Sequence, residues 1–516
     1  MTSADLDRIK RLGFVAGLIA GLPMAALMFA LSSIVGLPTL PDLFADPLLF
    51  LLPGPIFGLL IDALQFSAKS LLLAGLLEGQ LLFCGWVGRI WAGRAFDCVR
   101  PRPWREAAIV VGVVFIAFEG VVLTLLGMGF LGAALPTGMV VGLVGYGALH
   151  AVYAVGLVFA FGWLGERKMP QSRPSSGGRG EEIGRRRVVT TLAVSSVAIV
   201  GGGTFWRVAG GATVAGSSGG GLTGELSPEV TPTDQFYTVS KNFADPHVDA
   251  ATWRLQITGL VERPTTLTLD ALRALPATEQ YFTLACISNL VGGDLIGNAR
   301  WRGVKLRDLL NAAGVKPGVR KVVLSSSADS YSDSITFDKA MEETTLLAYE
   351  MNGEPLTYKH GAPARLLIPG IYGMKNVKWV TRIELVDREF LGYWQERGWS
   401  DAAAIQTFSR IDVPIGGRTV AGPIQIGGVA HAGDRGIKKV EVSTDGGRTW
   451  LEANRKPPLS PNSWTIWTLD WTPPGPGAYQ LKVRATDGLD RVQDATIRDS
   501  FPDGATGYHS VSVRVI

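Results

Sequence analysis

Long apolar runs near residues 12–36, 69–92, 106–130, 137–164 and 188–210 constrain this chain more than any other feature of it. Each supplies the about 20 residues that a helix needs to cross the hydrocarbon core of a bilayer. A shorter stretch, Pro47 to Ile61, is broken by Pro53 and Pro55 and reads as a re-entrant or interfacial segment, or else as a sixth span. The loop holding Arg94, Arg100, Arg102 and Arg105 is basic, as is the one holding Arg167, Lys168, Arg173, Arg179 and Arg185 to Arg187. The positive-inside rule puts both loops in the cytoplasm with the N-terminal Arg8, Lys10 and Arg11. Five spans meet all three placements and leave residues from about 211 onward outside; a sixth would break the agreement. Arg185-Arg186-Arg187 runs straight into Val188-Val189-Thr190-Thr191-Leu192, which reads as an internal twin-arginine export signal or as an ordinary anchor. Either way the expectation is a multi-pass protein of a bacterial-type inner membrane with its soluble half on the extracytoplasmic side.

Ionisable residues inside apolar spans are costly, so Glu119 and His150 stand out, with Glu78 a weaker case beside them. Helix-packing hydrogen bonds or a watery cavity would also account for them. A transmembrane haem takes paired axial histidines. Of five histidines only His150 lies in the membrane part, so one protomer supplies no such pair there. The net charge of +4 is small for 516 residues, and Lys and Arg form no stripe interleaved with aromatics, which argues against a nucleic-acid partner. Of the three cysteines, Cys84, Cys98 and Cys286, only Cys286 lies in the soluble part. It has no partner there for a disulfide and belongs to no CxxC pair; metal ligation would be one reason to keep an exported lone thiol.

Gly210 to Gly224 is rich in Gly and Ser and reads as a flexible tether. Beyond it, Trp253 to Ile257, Lys321 to Ser325 and Arg365 to Ile368 read as strands, and Leu269 to Leu275 and Leu306 to Ala313 as short helices. From about Val413 onward the pattern is all β. Lys438-Val440-Val442 and Thr449-Leu451 flank the turn Asp445-Gly446-Gly447, Tyr479-Leu481-Val483-Ala485 alternates, and Ser510 to Ile516 makes a last strand. The layout is a helical transmembrane domain over 1–210, a linker over 211–225, an α+β domain over 226–405 and an immunoglobulin-like sandwich over 406–516.

Two segments carry chemistry. Thr283-Leu284-Ala285-Cys286-Ile287-Ser288-Asn289, followed by Gly292-Gly293, Gly297-Asn298-Ala299-Arg300-Trp301 and Gly303-Val304, puts a thiol at the end of an apolar strand before a polar, Gly-rich loop. Alone, it reads more simply as a buried structural thiol. The second segment runs from Met351-Asn352-Gly353-Glu354-Pro355-Leu356 through His360-Gly361-Ala362-Pro363-Ala364-Arg365 and Pro369-Gly370 to Tyr372-Gly373-Met374-Lys375-Asn376-Val377-Lys378-Trp379. One His, one Arg, two Lys and several glycines suit a phosphate-bearing cofactor, because glycines admit close backbone approach and the cations neutralise phosphate.

Together these segments, in this order and followed by the sandwich with its Val440-to-Trp450 stretch, resemble the sulfite oxidase family of molybdopterin enzymes over about residues 230–516. The resemblance implies a molybdenum cofactor, Mo-molybdopterin, whose metal is held by the pterin's ene-dithiolate and by Cys286. It carries pterin contacts over to Tyr237, Thr238, Ser240, Lys241 and Asn242, to Asp329, to His360 and Arg365, and to Lys375, Asn376, Val377 and Lys378. It gives Asn289 and Trp399 places beside Cys286 in catalysis.

The departures concern substrate. Sulfite-oxidising members carry an arginine pair just after the cysteine loop's asparagine, where this chain has Leu290 and Val291. Ser240 stands for another pocket arginine and Trp399 for a tyrosine. Charged hydrogen bonds contribute roughly 1.5–3 kcal/mol each, so losing two weakens a small dianion greatly. The resemblance therefore implies two-electron oxygen-atom transfer at an oxo-molybdenum centre, with a small oxygen donor or acceptor that is not sulfite. No haem or flavin motif appears in the soluble half, so a separate partner, a cytochrome or a quinone-linked carrier, exchanges the electrons. A homodimer through the sandwich is also implied. Two alternatives stay open: a sulfite dehydrogenase whose pocket charge comes from Arg300 or Arg410, and a tethered binding protein that kept the fold without catalysis.

Overall fold

A computed structural model describes residues 3–50, 56, 67–96, 102–133, 135, 137–168, 224–242 and 245–516. They fall into a helical unit and a soluble unit.

The helical unit contains α1 (Ser3–Val35), α2 (Leu40–Phe50), α3 (Ser67–Phe96), α4 (Pro103–Ala117) and α5 (Met139–Lys168). Four stretches are long and apolar enough to cross a membrane: Ala4–Val35, Ser70–Phe96, Pro103–Leu125 and Met139–Gly165. They correspond to four of the five expected spans. The fifth, 188–210, and the export signal before it lie outside the described residues, as does most of the expected re-entrant stretch; its start, to Phe50, is the end of α2. Small residues let α1 and α3 approach closely: a Cβ on Gly17 would run into the Cys84 carbonyl, and one on Gly88 into that of Gly13.

At the end of α4 the hydrogen-bond ladder widens into a π turn, Phe118–Val122, before three more α-helical residues, Leu123–Leu125. Glu119 sits in that turn, 1% exposed, and neither carboxylate oxygen meets a hydrogen-bond partner among the described residues. His150 donates from Nδ1 to the Tyr146 carbonyl at 2.8 Å, one turn earlier in α5, and its ring lies against Phe115 and Phe118. Glu78 faces outward from α3.

The soluble unit opens with strands β1 (Leu255–Gly259) and β2 (Thr265–Leu267) and helix α6 (Leu269–Arg273), capped by the Thr268 hydroxyl, which accepts from Ala271 N at 3.1 Å. Then come β3 (Thr278–Ala285), β4 (Ile296–Lys305), α7 (Leu306–Ala313), β5 (Lys321–Ser326), β6 (Tyr331–Thr336) and α8 (Phe337–Met341). The domain ends with β7 (Leu346–Met351), β8 (Glu354–Pro355), β9 (Arg365–Leu367) and β10 (Arg382–Val386). One sheet has the order β2-β1-β10-β5-β6; the other runs β3-β4-β7-β8 with β9 also on β7. Helix α7 buries Leu306, Leu309, Leu310 and Ala313, one face at helical spacing, in a core shared with Val322, Leu324, Ile383 and Leu385.

The C-terminal domain is all β: β11 (Phe408–Val413), β12 (Thr419–Val420), β13 (Ile424–His431), β14 (Ile437–Ser443), β15 (Leu451–Glu452), β16 (Asn454–Arg455), β17 (Thr465–Trp471), β18 (Gly477–Asp487) and β19 (Ser510–Val515). Its sheets, β11-β13-β17-β16 and β12-β19-β18-β14-β15, enclose Ile426, Val440, Val442, Trp467, Leu481, Val483 and Val513. Alternation drives this: along β19, Val511, Val513 and Val515 are buried while the residues between them are exposed. The expected order of helical membrane domain, α+β domain and sandwich is the order observed.

Candidate active site

Strand β3 delivers Cys286 to the mouth of a loop that closes on itself. Cys286 N donates to Leu295 O at 3.0 Å, Asn289 N to Cys286 O at 3.1 Å, and Gly293 N to Leu290 O at 2.9 Å. The Asn289 side-chain oxygen accepts from Leu295 N at 2.9 Å, so Asn289, expected among the catalytic residues, is committed to holding the loop shut. Cys286 is 8% exposed, its Sγ 3.0 Å from the Ser288 hydroxyl. Burial pushes the thiol above its ordinary pKa, with the Ser288 contact opposing. A free thiol here is inert until something cationic holds it as thiolate.

Two buried tyrosines stand within electrostatic reach of that sulfur. Burial pushes Tyr372 up to about 12, and its hydroxyl accepts from Gln406 N at 3.2 Å. Burial likewise keeps Tyr237 neutral, well above the usual phenol range. Between Tyr237 and the cysteine strand runs the backbone of Gly373. A Cβ there would lie 3.0 Å from the Tyr237 hydroxyl and 3.3 Å from the Ala285 carbonyl.

The 360–378 segment gathers the cations. Arg365 is 6% exposed, lies over the Trp301 ring at 5.4 Å, and donates to His360 O at 3.1 Å and Asn376 O at 3.3 Å. Its Nε–H finds no acceptor among the described residues, and burial lowers its pKa to about 10. His360 donates from Nε2 to Thr233 O at 3.0 Å, and burial pushes it down to about 4, so the ring is neutral. Lys378 Nζ donates to Lys359 O at 3.1 Å and lies 3.9 Å from Asp245. Asn376 uses its side chain on Ile368 N and Tyr372 O, and Val377 is core. Thr238 is buried, Lys241 lies over the Tyr393 ring at 5.1 Å, and Ser240 and Asn242 are half-buried. Asp329 sits in the turn before β6 and accepts from Tyr331 N.

Lys375 is a correction. Its ammonium, 2% exposed, reaches Asp333 at 2.8 Å, Ser334 O at 2.7 Å and Asp401 at 2.9 Å. An ammonium has three donors, so none is left for a cofactor. Asp401 also pairs with Lys321 at 2.7 Å, and burial raises the Asp333 pKa against the pull of Lys375. Lys375 ties the loop to β6 and to the 401 turn.

Of the alternative pocket cations, Arg410 is committed as well. Arg410 pairs with Asp412 at 2.6 Å and donates to Gly293 O at 2.8 Å and Ser227 Oγ at 3.0 Å. Arg300 is half-exposed on β4, 3.8 Å from Glu279. Trp399 is buried between Trp394 and Phe501, and its indole N–H has no acceptor among the described residues. Sequence reading did not single out Tyr372, nor His509, whose ring lies against Gly292 of the cysteine loop, nor Phe501, which packs on Trp399. Tyr372 stands inside the cation-rich segment and was findable there, whereas Phe501 and His509 carry no local motif.

A molybdopterin would fit what this cluster leaves open: one thiol bound to no other cysteine, an unsatisfied guanidinium Nε–H, a neutral imidazole and a glycine cradle beside the sulfur. Residues 242–394 match the family described as "Oxidoreductase molybdopterin binding domain", and residues 401–515 the "Mo-co oxidoreductase dimerisation domain". Sulfite oxidase of Arabidopsis thaliana is 32% identical over 281 residues, covering 45% of this chain and 71% of that protein. Mitochondrial sulfite oxidase of Drosophila melanogaster is 30% identical over 342 residues, covering 55% of this chain; the chain spans 59% of that protein's length. The crystal structure of the sulfane dehydrogenase SoxCD from Paracoccus pantotrophus superposes with a TM-score of 0.50 at 27% identity, covering 56% of this chain and 82% of that one. Cysteine loop, cation cluster and sandwich thus occur in one fold and one order, and the chain belongs to the sulfite oxidase family of molybdopterin oxidoreductases.

Proposed function

We propose that this protein is a membrane-anchored molybdenum enzyme that moves an oxygen atom to or from a neutral small molecule rather than sulfite. The observation that carries the substrate reading is the lack of a cation in the cysteine loop together with the commitment of Arg410. Leu290 and Val291 follow Asn289 in that loop, Arg410 is engaged with partners of its own, and Arg300 stands half-exposed on β4. A dianion entering such a pocket loses its hydration without fixed positive charge to replace it.

The bound cofactor supplies two-electron oxygen-atom transfer chemistry. The protein's residues do the rest. Cys286 would hold the metal, and the Asn289-closed loop fixes the direction of its sulfur. Arg365, His360, Lys378, Thr238 and Lys241 would hold the pterin and its phosphate. Tyr237 and Tyr372 are neutral phenols, pushed further from ionising by burial, and bring no charge to the thiolate. The positive-inside count supports a soluble half outside the cytoplasm, with a cytochrome or quinone-linked carrier exchanging electrons. The sandwich's match to a dimerisation domain supports a homodimer.

Purified full-length protein should carry one molybdenum per chain. In steady-state assays it should turn over sulfoxides or amine N-oxides, or their reduced counterparts, far better than sulfite. A Michaelis constant for sulfite in the low micromolar range, near the lower end of the usual about 1 μM–1 mM span, would refute the substrate reading.

A further inference from the structure

Glu119 and His150, ionisable residues inside apolar spans, meet around one set of rings in the helical unit. Glu119 stands in the π turn that continues α4, next to Phe118. Between centroids, the Phe118 ring lies 5.3 Å from Tyr146 and 6.0 Å from His150 on α5, and the Phe115 ring lies 5.2 Å from His150. The Glu119 carboxylate is within electrostatic reach of Tyr146. Ionisable groups at such depth are costly to keep and mark functional sites, and π turns recur at such sites too.

Both groups present acceptors that nothing in the bundle fills. Glu119 is 1% exposed, and neither of its oxygens meets a hydrogen-bond partner among the described residues. Tyr146 does not supply one, because its hydroxyl donates to Pro38 O at 2.8 Å. His150 spends its Nδ1–H on Tyr146 O, so the neutral ring offers Nε2 as an acceptor, and Nε2 makes no hydrogen bond among the described residues. A buried acceptor without a donor is unfavourable until a donor arrives. The seam beside them has room: a Cβ on Gly112, one turn before Phe115, would meet nothing within 4 Å, and one on Gly147 would touch only the Phe115 ring, at 3.8 Å. Ile116 and Val144 are each 69% exposed, so in a bilayer the approach is through lipid. Two ligands are too few for a metal ion, and no group of three His, Cys, Asp or Glu gathers among the described residues. What fits is a lipid-soluble ring that carries O–H donors.

We infer that Glu119 and His150 form a binding site for a lipid-soluble hydroquinone within the helical unit. Its hydroxyls donate to the Glu119 carboxylate and to His150 Nε2, and its ring lies against Phe115 and Phe118. The inference rests on the functional reading above for the destination of the electrons. A hydroquinone that becomes a quinone gives up two electrons to the molybdenum centre and two protons to Glu119 and His150. With an oxygen donor XO the whole balances as hydroquinone plus XO giving quinone, X and water. The electron partner is then a hydroquinone rather than a cytochrome, and the helical unit is a binding domain as well as an anchor.

The test uses full-length protein in phospholipid nanodiscs, its molybdenum content measured first, with decylubiquinol as the probe, decylubiquinone as its oxidised counterpart and empty nanodiscs as the baseline. The hydroquinone should bind saturably and about tenfold more tightly than the quinone, which has no O–H to donate. Glu119→Leu and, independently, His150→Phe should each weaken hydroquinone binding about tenfold, the loss of one hydrogen bond. Glu119→Leu should unfold at no lower temperature than the unmutated protein, because it removes a buried polar group without a partner. A purely structural role for Glu119 would lower that temperature. Hydroquinone binding that does not saturate, equal affinity for the two forms, unchanged affinity in either variant, or earlier unfolding of Glu119→Leu overturns the site. Unmutated protein without molybdenum overturns the functional reading instead and leaves the binding measurement standing, so the two failures are distinguishable.

Discussion

Replacing Arg410 with alanine separates two roles for that residue. Its guanidinium spans three elements: Asp412 beside it on β11, the Gly293 carbonyl of the cysteine loop, and Ser227 ahead of the first strand. Asp412 is 1% exposed and also accepts from Ser227 N at 3.2 Å. Removing one partner of a buried, hydrogen-bonded pair costs about 3–5 kcal/mol, because the remaining charge is stranded away from water. Local opening should then become about a hundred to a few thousand times more frequent, since each 1.4 kcal/mol is about tenfold. Hydrogen exchange followed by mass spectrometry on full-length protein should show that loss of protection at residues 286–295 and 408–413. The double variant with Asp412→Asn removes the stranded charge and should recover about 2 kcal/mol of it. Protection within about fivefold of the unmutated protein (roughly 1 kcal/mol) would refute the tether. If sulfite binding collapsed at the same time, Arg410 would be the pocket cation after all.

Cys286→Ser should fold, because the loop is closed by backbone bonds and Asn289, yet its molybdenum K-edge spectrum should lose a sulfur ligand; an unchanged spectrum would contradict the assignment. Arg365→Ala strands the His360 and Asn376 carbonyls and removes the buried cation, so cofactor retention should fall about tenfold by metal analysis. Acid should destabilise the soluble unit before its carboxylates titrate. His360 and His509 are pushed down to about 4 and His431 to about 3 by burial, against 6.5 in an open chain. The unfolded chain therefore binds more protons below pH 6.5, and stability present above that value is lost as pH falls toward 4, about 3 kcal/mol from His360 alone. Thermal unfolding followed by tryptophan fluorescence should show a steep decline between pH 6.5 and 4 that His360→Gln flattens; a midpoint independent of pH there would contradict it.

The cysteine loop was legible because the bonds that close it are local: Cys286 to Asn289, Leu290 to Gly293, and Leu295 closing back. The sandwich was legible for a similar reason, since alternation in β18 and β19 writes each strand's buried face into the strand itself. Lys375 was misassigned because its neighbours Asn376, Val377 and Lys378 share its sequence context but not its direction. Its true partners, Asp333 and Asp401, are 42 and 26 residues away, and no local signal marks them. Asn289 looked catalytic by its place beside the thiol, but sequence does not reveal that its oxygen is spent on Leu295 N. Phe501 and His509 reach Trp399 and Gly292 only through the return of the loop between β18 and β19, an effect of tertiary packing that periodicity does not carry.

The π turn at Phe118–Val122 gives the helix from Pro103 to Leu125 two phases. Such a turn holds one residue more than an α-turn, so side chains beyond it are displaced by about 100° around the axis relative to an uninterrupted helix. Ala107 and Val111 before the turn, and Leu123 after it, are all buried among the described helices. They are brought inside by two differently clocked faces of one rod. Forcing the same residues into one uninterrupted α-helix would swing Leu123 about 100° away from its neighbours, whereas deleting Gly120 removes the extra residue together with the π turn and leaves Leu123 on its buried side. The π turn thus absorbs one surplus residue without costing the helix its buried face, and Glu119 stands in the turn that absorbs it.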